Sequence, residues 1–175
     1  MPKSSRDQLE QDKKKILSEL VKNSKEHIDT IAKNCGFSKQ KVWKAIKQME
    51  ENQMIWGYTA IFDEKKIGMN HFILMLKRTS KQLDEGATDR IISRRAEGLM
   101  NEFGGTIESS IYVHGEYDWV VLFTAEDIRH AKKYSESLIQ LHPGEIEKIS
   151  ILQTLMFIKK QYILNPDRKK LKEFL

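Results

Sequence analysis

The pattern of apolar and polar positions divides the first sixty or so residues into three short helices followed by a β-rich segment. Helical spacing over roughly 7–23 is set by Leu9, Ile16, Leu17, Leu20 and Val21. A shorter helix, marked by Ile28, Ile31 and Ala32, is expected to close at Cys35-Gly36, and a third to run from about Ser38 to Glu51. Asn52 is expected to end the third helix with a positive φ, and the β-rich stretch 54–62 predicts strands beside these helices.

The third helix has two chemically different faces. At about 100° per residue, one face collects Val42, Ala45, Ile46 and Met49, and the other collects Gln40, Trp43, Lys44 and Lys47. Gly36 can supply the positive-φ turn before it, and Ser38 can cap its first amides. A tight turn that presents a helix, apolar behind and cationic in front, suits the major groove of duplex DNA. A solvated lysine-rich face would give the same pattern.

The second half of the chain predicts the order β-α-β-β-α-β. Strands are expected over 71–77, 107–114, 119–123 and 146–158, with a turn at 115–118. Helices are expected around Ile92, Ala96, Leu99 and Phe103, and from a cap at Thr124 to about 141, with a polar loop over 81–89. This order is that of a ferredoxin-like unit, one sheet with two helices on one face. A second copy of the chain is the simplest partner that could bury the other face of the sheet.

The fold class is therefore α+β, an N-terminal winged helix-turn-helix followed by a ferredoxin-like βαββαβ domain. The expected division is 1–62 for the winged helix-turn-helix, 63–69 for a linker, 70–160 for the ferredoxin-like domain and 161–175 for a C-terminal tail.

Charge adds a functional indication to this plan. The net charge of +5 lies mostly in residues 1–60, which hold 12 Lys and Arg against 8 Asp and Glu, whereas 61–175 hold 18 against 17. Residues 36–49 contain four lysines and no acid. A positive field concentrated on the third helix favours a polyanionic partner, double-stranded DNA above all.

Composition limits the location and chemistry of the protein. No apolar run approaches the roughly 20 residues that span a bilayer, and the first residues lack the apolar core of a secretory signal. A single cysteine, Cys35, suits a reducing cytoplasm. The five histidines have no metal-ligand spacing, and the chain has no phosphate-binding glycine loop and no nucleophile motif. We therefore predict a cytoplasmic protein that is not an enzyme, with no membrane partner, metal or cofactor.

The cationic helix suggests a role for each exposed residue. Gln40 and Lys44 are the candidates for base edges, because an amide pairs with adenine and an ammonium donates to guanine. Ser38, Lys39, Lys41 and Lys47 are expected to contact phosphates. Trp43 would lie either against thymine methyls or sugars, or against the rest of the protein.

Motifs in both halves together resemble the Lrp/AsnC family, the feast/famine regulators of archaea and bacteria. The matching residues are 12–17, Ile31-Ala32, Gly36-Phe37-Ser38, Val42, Ile46, Met49-Glu50, 55–60, Gly68 and Gly115-Glu116-Tyr117-Asp118. The resemblance spans about residues 8–160. It implies a DNA-binding transcription regulator that dimerises through its C-terminal unit, often assembles into tetramers or octamers, and often binds a free amino acid between dimers.

The resemblance also implies an effector site at the 115–118 hairpin. Asp118 would pair with the ammonium group of the ligand, and Gly115 and Tyr117 would line the site. Thr154 would contribute a hydroxyl contact. By the residues alone, the hairpin is equally a tight turn in which Asp118 caps local amides.

Three departures from the family pattern bear on these roles. Ala45 and Gln48 stand where the family usually carries arginine, and Gln53 stands where it usually carries glycine. The segment 80–105 is longer than is typical of the family. Two other readings stay open: a sirohaem decarboxylase, which resembles this family in both halves, and a ligand-sensing oligomer that does not bind DNA.

Overall fold

The computed structural model describes residues 5–82, 86, 89, 93–167, 169 and 172. The chain folds into two compact units, residues 1–61 together with the stretch from 158 onward, and residues 62–157. The boundaries expected from the sequence, at residues 62, 69 and 160, stay predictions.

The first unit contains the three expected helices: α1 (Ser5–Leu20), α2 (Ile28–Cys35) and α3 (Lys39–Glu51). They enclose one apolar core, formed by Ile16, Leu20, Ile31, Ala32, Val42 and Met49. Leu9 and Val21 follow the same helical spacing, but each is more than one-third exposed. They lie near the two ends of α1, beyond the part of the helix that α2 and α3 cover.

The turn before α3 has the expected geometry, whereas the expected end of α3 is wrong. Gly36 caps α2 with φ 70°, and the Ser38 side chain accepts a hydrogen bond from the Lys41 backbone nitrogen. Asn52 has φ −92°, and the positive φ of 60° belongs to Gln53. The amides of the two residues that follow Gln53 both donate to the Met49 carbonyl, so the left-handed residue stands one position later than expected.

The strands predicted over 54–62 are also wrong, because the structure, which describes this whole stretch, gives it no strand. The β element of the first unit comes from the other end of the chain, as the hairpin of β5 (Lys159–Lys160) and β6 (Ile163–Leu164). Gln161 has φ 50° at its turn. A β-rich composition favours a strand only where a neighbouring strand is present.

The second unit is the predicted βαββαβ sheet. After a 3₁₀ turn (Glu64–Ile67), its elements are β1 (Asn70–Arg78), α4 (Arg95–Glu102), β2 (Thr106–Tyr112), β3 (Trp119–Ala125), α5 (Ile128–Leu141) and β4 (Ile146–Gln153). The strand order is β2-β3-β1-β4, and every neighbouring pair is antiparallel. The ferredoxin-like topology is confirmed.

Alternation along the strands assigns each residue to one face of the sheet. One set, Phe72, Leu74, Leu76, Val121 and Phe123, packs against Met100 of α4 and against Tyr134 and Leu138 of α5, and all of these residues are at most 1% exposed. The residues between them on β1 and β3 belong to the opposite face, and their apolar members stay partly exposed.

Three local expectations need correction or lie beyond the described residues. Asp127, and not Thr124, caps α5, because its carboxylate accepts from two amides of the first turn whereas Thr124 belongs to β3. The last strand ends at Gln153, five residues before its expected end. Ile92 and most of the predicted loop over 81–89 lie outside the described residues.

Candidate nucleic-acid interface and effector hairpin

The two faces of α3 differ in the structure as the sequence predicts. Val42 and Met49 are fully buried against α1 and α2, whereas Gln40, Trp43, Lys44 and Lys47 are exposed. Half of the Trp43 surface is open, and the Lys47 ammonium lies 5.4 Å from the centroid of its ring. The first unit therefore presents a cationic helix face with one accessible aromatic ring.

The lysines of α3 differ in how strongly the protein already engages them. Lys44 has neither an ion pair nor a hydrogen bond to another described residue. Lys39 pairs with exposed Asp29, and Lys47 lies 3.8 Å from exposed Glu51, so both pairs are weak. Lys41, in contrast, contacts the buried Asp12 carboxylate at 2.6 Å. Lys44 is thus the most available cation, and Lys41 the most constrained.

The acidic end of α3 is bound locally. The Tyr58 hydroxyl donates to Glu50 Oε1 at 2.8 Å. Partial burial, reinforced by the Glu50 carboxylate, raises the pKa of Tyr58 to about 12. Together with the contact between Lys47 and Glu51, this leaves the positive field strongest over the first half of the helix. The sequence analysis missed Tyr58, because eight residues of chain separate it from Glu50.

The 115–118 hairpin forms as predicted, and Asp118 makes hydrogen bonds to the backbone of β1. Its Oδ2 accepts from the Arg78 backbone nitrogen at 2.8 Å, and its own nitrogen donates to the Leu76 carbonyl at 2.9 Å. Asp118 is therefore engaged with the end of β1. Gly115 lies exposed in the same turn.

Tyr117 faces a neighbour that the sequence analysis missed. Its hydroxyl lies 3.3 Å from Ser150 Oγ on β4, and Lys148 places its ammonium 5.5 Å from the ring centroid. Lys148 also lies 3.8 Å from Glu116. The Ser150 hydroxyl, the Lys148 ammonium and the Glu116 carboxylate therefore lie around Tyr117. Ser150 and Lys148 come from β4, so this grouping follows from the strand register and not from the local sequence.

Thr154 does not join this group within one chain. Its backbone nitrogen donates to the His71 carbonyl, and its hydroxyl lies 2.7 Å from His71 Nδ1. His71 and Arg78 stand at opposite ends of β1, about 23 Å apart at roughly 3.3 Å per residue. Thr154 is therefore distant from Asp118 within one chain, and its hydroxyl contact to an effector stays a prediction.

The sheet face opposite the helices carries two apolar rows. One row joins Ile111, Val120 and Met75 across β2, β3 and β1, and the other joins Leu122, Ile73 and Leu152 across β3, β1 and β4. Leu152 is 50% exposed and Ile111 is 45% exposed. A contiguous apolar face of this kind indicates an interaction surface.

Among the described residues, no group of three or more His, Cys, Asp or Glu side chains is arranged to hold a metal ion. Within the same residues, no helix has both the length and the apolar character needed to cross a membrane.

Comparisons with known proteins agree with this geometry. Residues 13–55 match the family model described as winged helix-turn-helix DNA-binding. An uncharacterised HTH-type transcriptional regulator of Pyrococcus abyssi is 24% identical over 155 residues, which cover 87% of this chain and 96% of that protein.

Two solved structures share the fold of nearly the whole chain. An AsnC family transcriptional regulator from Agrobacterium tumefaciens superposes with a TM-score of 0.64 at 23% identity, over 89% of this chain and 96% of that one. A transcriptional regulator from Neisseria meningitidis in complex with L-Met gives 0.65 at 14% identity, over 90% and 97%.

Within the first unit, residues 13–55 thus match a winged helix-turn-helix of the DNA-binding class. The chain has the fold of solved Lrp/AsnC transcription regulators, and the resemblance seen in the sequence is confirmed.

Proposed function

We propose that this protein is a sequence-specific, double-stranded DNA-binding transcription regulator of the Lrp/AsnC type that acts in the cytoplasm. The observation that carries the proposal is the outward face of α3. There Gln40, Trp43 and Lys44 are exposed side by side, while Val42 and Met49 on the opposite face of the helix are fully buried. A helix fixed in this way can enter the major groove without rearrangement.

The exposed residues have distinct proposed roles. Gln40 and Lys44 read base edges, and the open half of Trp43 contacts thymine methyls or sugars. Ser38, Lys39 and Lys47 contact phosphates, since the weak surface pairs of the two lysines exchange readily for a phosphate. Lys41 contributes mainly by holding α3 on α1, and its phosphate contact is secondary.

A homodimer is proposed through the apolar rows of the sheet. A second copy would cover Leu152, Ile111 and the half-buried residues between them, and further association would give tetramers or octamers. A dimer presents two copies of α3. Its site is therefore a pseudo-palindrome with half-sites separated by one or more helical turns of DNA.

A free amino acid is the proposed effector, bound between dimers near the hairpin. The L-Met complex of the Neisseria relative supports a ligand of this class. Gly115, Tyr117 and Asp118 line the site, and the register requires Thr154 to come from another copy if it takes part. The ligand would act by its different affinity for two assemblies.

Selection of bound sequences from a random duplex pool tests the main proposal. We expect one enriched motif with two-fold symmetry, and binding that weakens steeply as salt is raised. If no motif is enriched and retention on duplex DNA is absent at low salt, the regulator proposal is wrong. Calorimetric titration with the twenty amino acids tests the effector separately, and twenty flat isotherms would contradict it.

A further inference from the structure

The fold separates the charges of the chain more sharply than the order of the sequence does. The first unit joins residues 1–61 to the stretch from 158 onward, and together these hold 18 Lys and Arg against 10 Asp and Glu. The second unit, residues 62–157, holds 12 against 15. The net charge of +5 is therefore divided into +8 and −3. The attraction of a polyanion is a property of the whole first unit and not only of α3.

The stretch 158–175 supplies half of the positive excess of the first unit. It contains six Lys and Arg against two Asp and Glu, whereas residues 1–61 contain 12 against 8. These 18 residues therefore carry as much net positive charge as the 61 residues that contain the three helices. Lys169 and Lys172 are exposed, and neither forms an ion pair or a hydrogen bond with another described residue.

This C-terminal stretch begins with the hairpin of β5 and β6, whose two faces differ in exposure. The register pairs Lys159 with Leu164 and Lys160 with Ile163, so the two pairs lie on opposite faces. Lys159 is exposed and Leu164 is 66% exposed, whereas Lys160 is partly buried and Ile163 is 38% exposed. The face with Lys159 and Leu164 is therefore the outward face of the hairpin.

The turn of the hairpin adds an aromatic side chain to the exposed lysine. Gln161 takes the left-handed φ of 50°, and Tyr162, the other turn residue, is 64% exposed. Neither the Tyr162 hydroxyl nor the Lys159 ammonium has a hydrogen bond or an ion pair with another described residue. Both groups donate to phosphate oxygens in protein–DNA complexes, and here neither has to give up an internal contact to do so.

The segment that directly follows α3 offers no comparable group of cations. Residues 52–62 contain no lysine or arginine, and the structure gives 54–62 no strand. The β element of the first unit is instead the C-terminal hairpin. Further phosphate contacts from this unit therefore have to come from its helices or from the stretch 158–175.

We propose that the outward face of the C-terminal hairpin is a second contact to duplex DNA, in addition to α3. The Lys159 ammonium and the Tyr162 hydroxyl donate to phosphate oxygens, and Lys169 and Lys172 add attraction that is independent of base sequence. The contact helps to position the protein on the duplex without reading bases. This inference rests on the proposed DNA-binding function and extends it to residues outside the helix-turn-helix.

The test compares gel-shift titrations of full-length variants on a selected duplex and on an unrelated duplex. Lys159→Ala is expected to weaken binding to both by the same factor, roughly fivefold to tenfold at about 0.1 M salt. The slope of log K against log salt should fall by about one. Tyr162→Phe removes a neutral donor, so it should weaken binding and leave the slope unchanged.

Two further variants separate the loss of a phosphate contact from a change of fold. Lys159→Arg keeps the positive charge and should retain the affinity and the salt slope of the wild type. Lys133→Ala removes an exposed cation from α5 of the second unit, and it should also bind as the wild type does. Equal losses in Lys133→Ala and Lys159→Ala would show an effect of net charge alone and would overturn the proposal.

The remaining outcomes distinguish this contact from the regulator proposal. If the wild type binds the selected duplex and Lys159→Ala matches its affinity and slope, the hairpin is not a DNA contact, and the regulator proposal stands. If the wild type binds neither duplex at low salt, both proposals are wrong. If Lys159→Ala changes the mass measured by light scattering and leaves DNA binding intact, the hairpin faces a second copy of the chain instead.

Discussion

Lys41 of α3 and Asp12 of α1 form an ion pair inside the first unit, with Nζ 2.6 Å from Oδ2. Asp12 is 5% exposed and also accepts from Gln8 Nε2 at 3.0 Å. The Lys41 ammonium lies 4.0 Å from the centroid of the Phe37 ring. These contacts fix the start of α3 against α1, so one of the four lysines of α3 serves mainly to hold in place the helix that carries the other three.

Substitution of Asp12 should destabilise the first unit. Asp12→Asn removes the buried carboxylate that pairs with the partly exposed Lys41 ammonium, and the midpoint of thermal unfolding should fall measurably. Asp29→Asn, which breaks the exposed pair with Lys39, is the matched control and should shift the midpoint by only about 1 °C. Equal shifts in the two variants would contradict a structural role for Asp12.

Acid should remove the contribution of Asp12 selectively. The hydrogen bond from Lys41, and then that from Gln8, hold the pKa of Asp12 below its usual range. The stabilisation is therefore complete above the ordinary carboxyl pKa of about 3.9 and is lost as pH falls through the lower folded value. Unfolding followed from neutral pH to about pH 3 should show the wild type and Asp12→Asn converging. A constant difference over that range would contradict the assignment.

Removal of the Lys44 ammonium should weaken DNA binding more than removal of a cation elsewhere. Lys44→Ala should lower affinity for a selected duplex severalfold, because the exposed ammonium has no protein partner among the described residues to compensate. If it contacts a phosphate, the slope of log K against log salt should fall by about one. Gel-shift titrations at several salt concentrations measure both effects. Lys66→Ala, at an exposed position of the second unit, is the control, and equal binding by the two variants would remove Lys44 from the interface.

A charge on the open face of the sheet should disrupt self-association. Leu152→Asp places a carboxylate at an apolar position that is 50% exposed in the single chain, so the fold should persist while the copies separate. Ile139→Asp on α5, at 49% exposure, is the matched control. Light scattering gives the mass of each variant. Unchanged association of Leu152→Asp would show that this face is not the interface.

Two glycines of the second unit should respond oppositely to alanine. A Cβ at Gly105 would collide with the Met100 sulfur and with the backbone oxygen of Thr124, so Gly105→Ala should cost about 1–3 kcal/mol of unfolding free energy. A Cβ at Gly98, inside α4, meets no atom within 4 Å, and Gly98→Ala should stabilise by about 0.5–1 kcal/mol. Denaturant titration measures both. A neutral Gly105→Ala would show that the backbone there yields easily.

The sequence predicted the elements whose signals are local. The 3.6-residue spacing predicted α1 to α3, and Gly36 and Ser38 marked the turn. The alternation on β2, followed by the apolar run of β3, predicted the hairpin. The exposed face of α3 followed from the same periodicity, because the opposite face had to be buried. Composition misled where it acted alone, as in the strands predicted over 54–62.

By itself, the sequence determined the order of α1 to α3, the cationic helix face and the βαββαβ plan, since these depend on residues close together in the chain. Only the tertiary structure decided that Lys41 forms an ion pair with Asp12, and that Ser150 rather than Thr154 is the neighbour of Tyr117. The same holds for the hydrogen bond between His142 and Glu145 beside Trp119. Those contacts depend on strand register and helix packing. Hydrophobic periodicity sets which face a residue occupies, and leaves open which distant residue lies opposite it.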